Sequence, residues 1–219
     1  MDIEDFLKNI PLLHIWDGKA NTGGFDKIGL KSLYDLAQSL GSPRVLETGA
    51  GNSSLAFLLA GSAHITSICP EQPLFDRMRA FAEKSIIDVS RWRPITMRSE
   101  ICLPKLVDLQ ESFDLILIDG GHGWPTVFVD LCYCHMLLRE GGMLIIDDNF
   151  LYSIVELVNL LREQPEYQFQ GNLGVNDKTL IFKKVTSGKF FPEWAHEPYI
   201  RRRTEEYKAA RASNAAEMK

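Results

Sequence analysis

The chain has 219 residues, 45% hydrophobic and 24% charged, with a formal net charge of −5. That length suits one domain with a substantial core and appended terminal elements, and the acidic balance gives no electrostatic reason to bind nucleic acid or an anionic membrane. No apolar run approaches bilayer-spanning length, and the acidic start Met1-Asp2-Ile3-Glu4-Asp5 is unlike a signal peptide, so a soluble protein is expected.

Residues 1 to about 27 read as irregular, punctuated by Pro11, a Trp16-Asp17-Gly18 turn and Thr22-Gly23-Gly24. Leu33, Leu36, Ala37 and Leu40 then keep a helical rhythm over Ile28–Leu40, and Gly41 ends it. From residue 42 strands and helices alternate. The expected order is a strand over Val45–Glu47, a helix over Ser53–Leu59, a strand over His64–Cys69 and a helix from Pro73 to about Lys84. A weaker strand over Pro94–Arg98 and a strong one over Phe113–Asp119 follow. Pro125 lies near the first turn of a helix with Val127, Leu131, Cys134 and Leu138 on one face, and Glu140-Gly141-Gly142 reads as its stop. Met143–Ile146 is a buried strand and Leu151–Leu161 a helix. The rhythm then breaks, because Tyr167–Gln170 and Thr179–Lys184 are joined by a loop (Gly171–Lys178) too short for a crossover helix, so they pair antiparallel.

Strict alternation predicts an α/β fold with a doubly wound, mostly parallel sheet closed by an antiparallel hairpin. The expected division is an N-terminal segment (1–41), a core (42–185) and a polar tail (186–219) that reads as a solvated surface helix or frayed end. Cys69, Cys102, Cys132 and Cys134 form no C-x-x-C pair and no zinc-like spacing with the five histidines, which fits a reducing cytoplasm.

The stretch Leu46-Glu47-Thr48-Gly49-Ala50-Gly51-Asn52-Ser53 carries the most chemistry. Two glycines in a strand-to-helix turn let the backbone approach a ligand closely, and the helix start offers free N–H groups. An acid at the strand end would repel the pyrophosphate of a dinucleotide but suits a ligand with a cationic end, such as the ammonium and sulfonium of S-adenosylmethionine. Ser54 also replaces the third glycine of the dinucleotide fingerprint. In an open parallel sheet ligands bind beyond the carboxyl ends of the strands, and Asp119, His122, Asp148 and Asn149 fall just past such ends on the same rim as Glu47. Asp119 and Asp147 are also compatible with plain helix caps or loop hydrogen bonds. His122, with an unperturbed pKa of about 6.5, suits a general base, and a structural histidine bonded to a loop carbonyl is its alternative.

These elements resemble class I S-adenosylmethionine-dependent methyltransferases, whose seven-stranded, Rossmann-like sheet ends in a reversed hairpin. The chain looks most like the small members with an I-D-G-x-H element after the fourth strand and G-G-x-x-x-x-D-D around the fifth. Here these read Ile118-Asp119-Gly120-Gly121-His122 and Gly141-Gly142-Met143-Leu144-Ile145-Ile146-Asp147-Asp148, within a resemblance covering roughly residues 42–184. The resemblance implies that Glu47, Gly49, Gly51, Asn52 and Ser53 surround the cofactor's amino-acid end, and that Asp119 also borders the cofactor. The acid that holds the ribose should end the second strand, where this chain has Cys69, so Glu71 takes that role or the ribose is held otherwise. Glu100 is a candidate for the adenine edge. It further implies His122, Asp119 and Asp148 as the catalytic group. Asp119 with Asp148-Asn149 also resembles the magnesium ligands of catechol-type O-methyltransferases, although Asp147-Asp148 is equally the form of relatives that use no metal.

Residues 10–27, with His14, Trp16, Asp17 and Phe25, and the loop Gly171–Lys178 are candidates for a lid, a plain packing strap being the alternative. The implied activity is methyl transfer to a small-molecule acceptor, at oxygen before nitrogen or carbon, with no nucleic-acid or membrane partner and with a homo-oligomer open. The competing readings are an NAD(P)-dependent Rossmann oxidoreductase and a non-catalytic cofactor-binding module.

Overall fold

Val45, Leu115, Leu117 and Ile145 face one side of a sheet whose other side carries Leu46, Ile116, Ile118, Leu144 and Ile146, and all are buried. This period-two division of continuous apolar strands is what a sheet covered on both faces requires. The computed structural model describes residues 1–62, 64–175, 177–188 and 197–217. It begins with α1 (Ile3–Lys8) and a small antiparallel hairpin of β1 (His14–Trp16) and β2 (Lys19–Asn21), followed by α2 (Lys27–Ser39). The alternating core follows as β3 (Arg44–Thr48), α3 (Asn52–Leu59), β4 (His64–Ile68), α4 (Gln72–Lys84), β5 (Trp92–Ile95) and α5 (Ser99–Asp108). It continues with β6 (Phe113–Ile118), α6 (Thr126–Leu137), β7 (Leu138–Ile146) and α7 (Tyr152–Glu163), and closes with β8 (Tyr167–Leu173) and β9 (Thr179–Lys184). A final helix, α8, spans Pro198–Glu217.

The seven core strands run in the order β5-β4-β3-β6-β7-β9-β8, with β9 antiparallel to both neighbours and the remaining pairs parallel. Helices α1 to α4 bury their apolar stripes on one face, and α5 to α7 on the other. Each fully buried Leu, Ile or Phe on these faces contributes about 1.5–3 kcal/mol of transfer free energy, so this double core is what holds the strand ends in place. The chain reverses its winding between β3 and β6, and a ligand crevice is expected beyond the carboxyl ends of that pair.

The expected elements are present, with β5 earlier (Trp92–Ile95) than the expected Pro94–Arg98, β8 running on to Leu173, and three larger differences. Residues 1–27 are not irregular but form α1 and the β1–β2 hairpin. The helix α5, which carries Pro104 inside it, was not among the expected elements. Glu140-Gly141-Gly142 does not stop the helix before β7. Leu138 already belongs to the strand, paired with Phe113, and the glycine pair sits inside β7 at a register shift. Gly141 has φ of +79°, and a side chain on Gly142 would come within 2.6 Å of Leu138 and 2.9 Å of the Arg139 carbonyl. Those glycines accommodate an irregularity rather than a helix end. Of the polar tail, residues 189–196, 218 and 219 lie outside the described residues. Among the described residues, no helix is long and apolar enough to cross a membrane.

Candidate active site

At the end of β3 the chain turns through Gly49, whose φ of +96° a side chain rarely adopts. Its N–H donates to the Ile68 carbonyl (2.9 Å), and a Cβ placed there would stand 2.2 Å from the Asp119 carbonyl oxygen. Gly120 faces it, 3.2 Å from the Gly49 nitrogen when given a Cβ. Two adjacent strand ends therefore meet through glycines, so that the turns after β3 and β6 share one floor. Backbone bonds carry the ladder past the strands, with Asp119 N–H on Thr48 O (2.9 Å) and Asp147 N–H on Ile118 O (3.1 Å).

Glu47 lies behind this floor rather than on the cavity wall. Its side chain is 1% exposed and accepts from the hydroxyls of Ser53 (2.9 Å), Ser54 and Ser67, while Trp92 Nε1–H donates to Ser67 Oγ (2.8 Å). Burial pushes its carboxyl up to about 7, against the three hydroxyls that favour the charged form. Ser54 also accepts from the Gly51 N–H (3.2 Å). Glu47 thus fixes the glycine turn and the start of α3 through serines, and Ser53, which does line the cavity, links the two.

The cavity has a volume of about 360 Å³, ample for a small organic ligand. Gly49, Gly51, Asn52 and Ser53 line one end, Cys69, Pro70 and Glu71 the side, and Asp119, His122 and Asp148 the other end. Across the top runs the N-terminal strap, with His14, Trp16 and Thr22 to Phe25 on the wall. Asn52 Nδ2–H donates to the carbonyls of Pro11 (3.1 Å) and Thr22 (2.5 Å), and Arg77 Nε–H donates to Leu13 O (2.6 Å). The His14 ring lies over Gly51, where a Cβ would be 2.6 Å from its Nε2. Burial holds the His14 pKa below the usual imidazole value, Glu71 opposing and Arg77 assisting. Asn52 Oδ1 is buried without a hydrogen-bond partner among the described residues.

At the far end, His122 Nε2 is 3.1 Å from Asp148 Oδ2 and 3.7 Å from Asp119 Oδ1. Burial disfavours the imidazolium, but the two carboxylates outweigh it and hold His122 up to about 9. Desolvation pushes Asp119 the other way, well above the usual carboxylate range, while His122 and Lys178 hold Asp148 below it. Asp148 itself has φ of +59°, a conformation tolerated by Asp, which turns its carboxylate into the rim. Ser153 Oγ–H donates to the His122 carbonyl and fixes the loop that carries the histidine.

The remaining expected residues scatter. Glu71 and Cys69 both reach the wall, whereas Glu100 is paired with Arg98 (2.6 Å) outside it and the neighbouring Ser99 lines the cavity instead. The Asn149 amide donates to the Asp177 carbonyl (3.2 Å), away from the rim. Two residues were missed. Asp130 on α6, fully buried beside Ser99 and Thr48, has neither oxygen hydrogen-bonded, and burial lifts its carboxyl to about 6. A lone acid within the apolar run Val127–Leu137 was the available signal. Lys178, from the β8–β9 loop, reaches Asp147 Oδ2 (3.0 Å) and Asp148 Oδ1 (3.1 Å); the sequence marked only its loop, Gly171–Lys178, as a candidate lid.

Residues 46–149 match the family model described as a methyltransferase domain. No curated protein matches the sequence. Among solved structures, the O-methyltransferase TomG of Streptomyces achromogenes, involved in tomaymycin synthesis and solved with S-adenosylmethionine, is 16% identical, with a TM-score of 0.67 over 82% of this chain and 89% of that one. The O-methyltransferase of Bacillus cereus, solved with S-adenosylhomocysteine, is 20% identical, with a TM-score of 0.60 over 84% and 90%. A proposed RNA methyltransferase of Pyrococcus horikoshii is 11% identical, with a TM-score of 0.60 over 84% and 98%. At such identities the likeness is one of fold, and the fold alone does not choose the acceptor.

Proposed function

We propose that the chain transfers a methyl group from S-adenosylmethionine to the oxygen of a small-molecule acceptor, a reading supported by the match of residues 46–149 to a methyltransferase-domain model. One observation carries this reading: a single cavity joins the Gly49–Ser53 turn to the His122–Asp148 pair. The first end, lined by Gly49, Gly51, Asn52 and Ser53, suits an amino-acid group, with the α3 N-terminus for its carboxylate. Glu71, on the side wall, is the candidate for the ribose hydroxyls in place of Cys69. The cavity volume with the net charge of −5 favours a small molecule over RNA, and oxygen is the acceptor the reading takes first.

When bound, S-adenosylmethionine supplies a sulfonium whose methyl group is already reactive, so the protein's work is alignment and proton removal. Asp119 and Asp148 hold the His122 ring toward the cavity. With a pKa near 9, His122 is charged at neutral pH in the open site. Beside the positive charge of a bound cofactor the His122 imidazolium would be disfavoured, and the neutral ring would accept the acceptor's hydroxyl proton. The N-terminal strap (residues 10–27) acts as the lid that excludes water during transfer.

Thermal shift tests the reading. S-adenosylhomocysteine should raise the melting temperature while NAD and NADP leave it unchanged. Stabilisation by the nicotinamides alone would assign the chain to the oxidoreductases, and binding without turnover of any acceptor would leave a cofactor-binding module.

A further inference from the structure

The rim offers a cation site in outline, since donor atoms of Asp119, His122 and Asp148 all lie within 4.8 Å of one another. Its chemistry does not fit the magnesium ion of the catechol-type relatives. Magnesium demands a near-octahedral shell of oxygens and keeps several waters. Here one of the three donors is an imidazole, not an oxygen. Both oxygens of Asp148 already face side-chain nitrogens, Oδ2 at 3.1 Å from His122 Nε2 and Oδ1 at 3.1 Å from Lys178 Nζ. A dication placed against Asp148 would stand next to a fixed ammonium.

Lys178 has partners on several sides. Its Nζ also pairs with the fully buried Asp147 Oδ2 (3.0 Å), donates to the Gly24 carbonyl (2.7 Å) and lies 5.5 Å from the centroid of the Phe25 ring. Gly24 and Phe25 belong to the strap across the cavity. One ammonium therefore joins three chain segments: the β8–β9 loop, the end of β7 and the strap.

We infer that Lys178 is the built-in counter-cation of the Asp147–Asp148 rim, taking the place of a divalent metal, and that the same ammonium latches the N-terminal strap over the cavity. The site then needs no metal to balance its carboxylates, and strap closure and rim charge are set by one side chain. This assignment rests on the methyltransferase reading only for what the rim is used for. The charge pairing and the latch can be tested without cofactor or acceptor.

The test is a manganese(II) titration of the ligand-free protein, read by electron paramagnetic resonance, together with hydrogen exchange of the strap amides. Wild-type protein should take up no manganese to about 1 mM and should protect the strap. K178M should bind manganese at least about tenfold tighter, about 1.4 kcal/mol, and its strap should exchange faster; K178R should behave as wild type. Should K178M fail to fold, K178Q takes its place. Tight manganese binding by the wild type, abolished in D148N, would overturn the assignment, as would a K178M or K178Q protein with unchanged manganese affinity and strap protection. S-adenosylhomocysteine binding, measured separately, reports on the methyltransferase reading and is independent of either outcome.

Discussion

The two ends of the cavity bury carboxylates in opposite ways. Behind the glycine turn, Glu47 is surrounded by three neutral hydroxyls and touches no cation, so it costs desolvation and serves as a rigid bracket for Ser53, Ser54 and Ser67. At the rim, Asp119, Asp147 and Asp148 are matched with His122 and Lys178, two nitrogens that carry charge. Neutral partners hold a shape, whereas charged partners respond to what binds. The glycine end should therefore fail chiefly through structure, although the Glu47 carboxyl, lifted to about 7, titrates there too, and the rim through the protonation of His122.

The sharpest break in this comparison comes from Gly49→Ala. The new methyl group meets the Asp119 carbonyl at 2.2 Å in a backbone with φ of +96°, so the change should cost about 3 kcal/mol or more. Urea unfolding would register this as a lower midpoint, and an unchanged midpoint would mean that the two turns are not packed as described. Glu47→Ala comes next, because it leaves three buried hydroxyls without their acceptor, at about 2–3 kcal/mol. S-adenosylhomocysteine affinity should fall with it through the displaced Ser53, and calorimetry on the folded variant measures that loss.

The rim should show itself by pH instead. His122 has a folded pKa raised from 6.5 to about 9, so its contribution to stability is complete below pH 6.5 and disappears as pH climbs through 9. NMR titration of the ring protons should give a value near 9 in the free protein and a clearly lower one in D148N. A wild-type value near 6.5 would remove the carboxylates as the cause. For methyl transfer the sign is the same, and the rate should rise with pH toward the His122 pKa as the neutral base accumulates. The smallest effect belongs to the strap. Asn52→Ala removes two donor bonds to Pro11 and Thr22 and should cost about 1 kcal/mol, seen as faster hydrogen exchange over residues 11–22 with the sheet unaffected.

The sheet was legible because Val45-Leu46 and Leu115 to Ile118 are apolar on both faces, a pattern that only a covered parallel sheet explains. The β1–β2 hairpin was not, since Ile15 and Trp16 are exposed and its position depends on Asn52 and Arg77 from far along the chain. Glycines misled at Gly141-Gly142, where a pair that commonly ends helices sits inside a strand. The rim acids were readable from their place after apolar strands, but Lys178 was not. A lysine in a polar hairpin loop carries no signal until β9 folds back beside β7 and delivers it to residues 31 and 30 positions away. Glu47 illustrates a different limit, because the sequence places it at the strand end but not on which side of the wall its carboxylate points.

The central claim is that one cofactor spans the distance from the Gly49–Ser53 turn to the His122–Asp148 pair. A crystal structure with S-adenosylhomocysteine tests it most directly. The amino-acid end should lie against Asn52 and Ser53 under the strap, the ribose beside Glu71, and the sulfur should face His122. Density for the ligand elsewhere, or a ribose and sulfur turned away from the Asp119–His122–Asp148 rim, would contradict it.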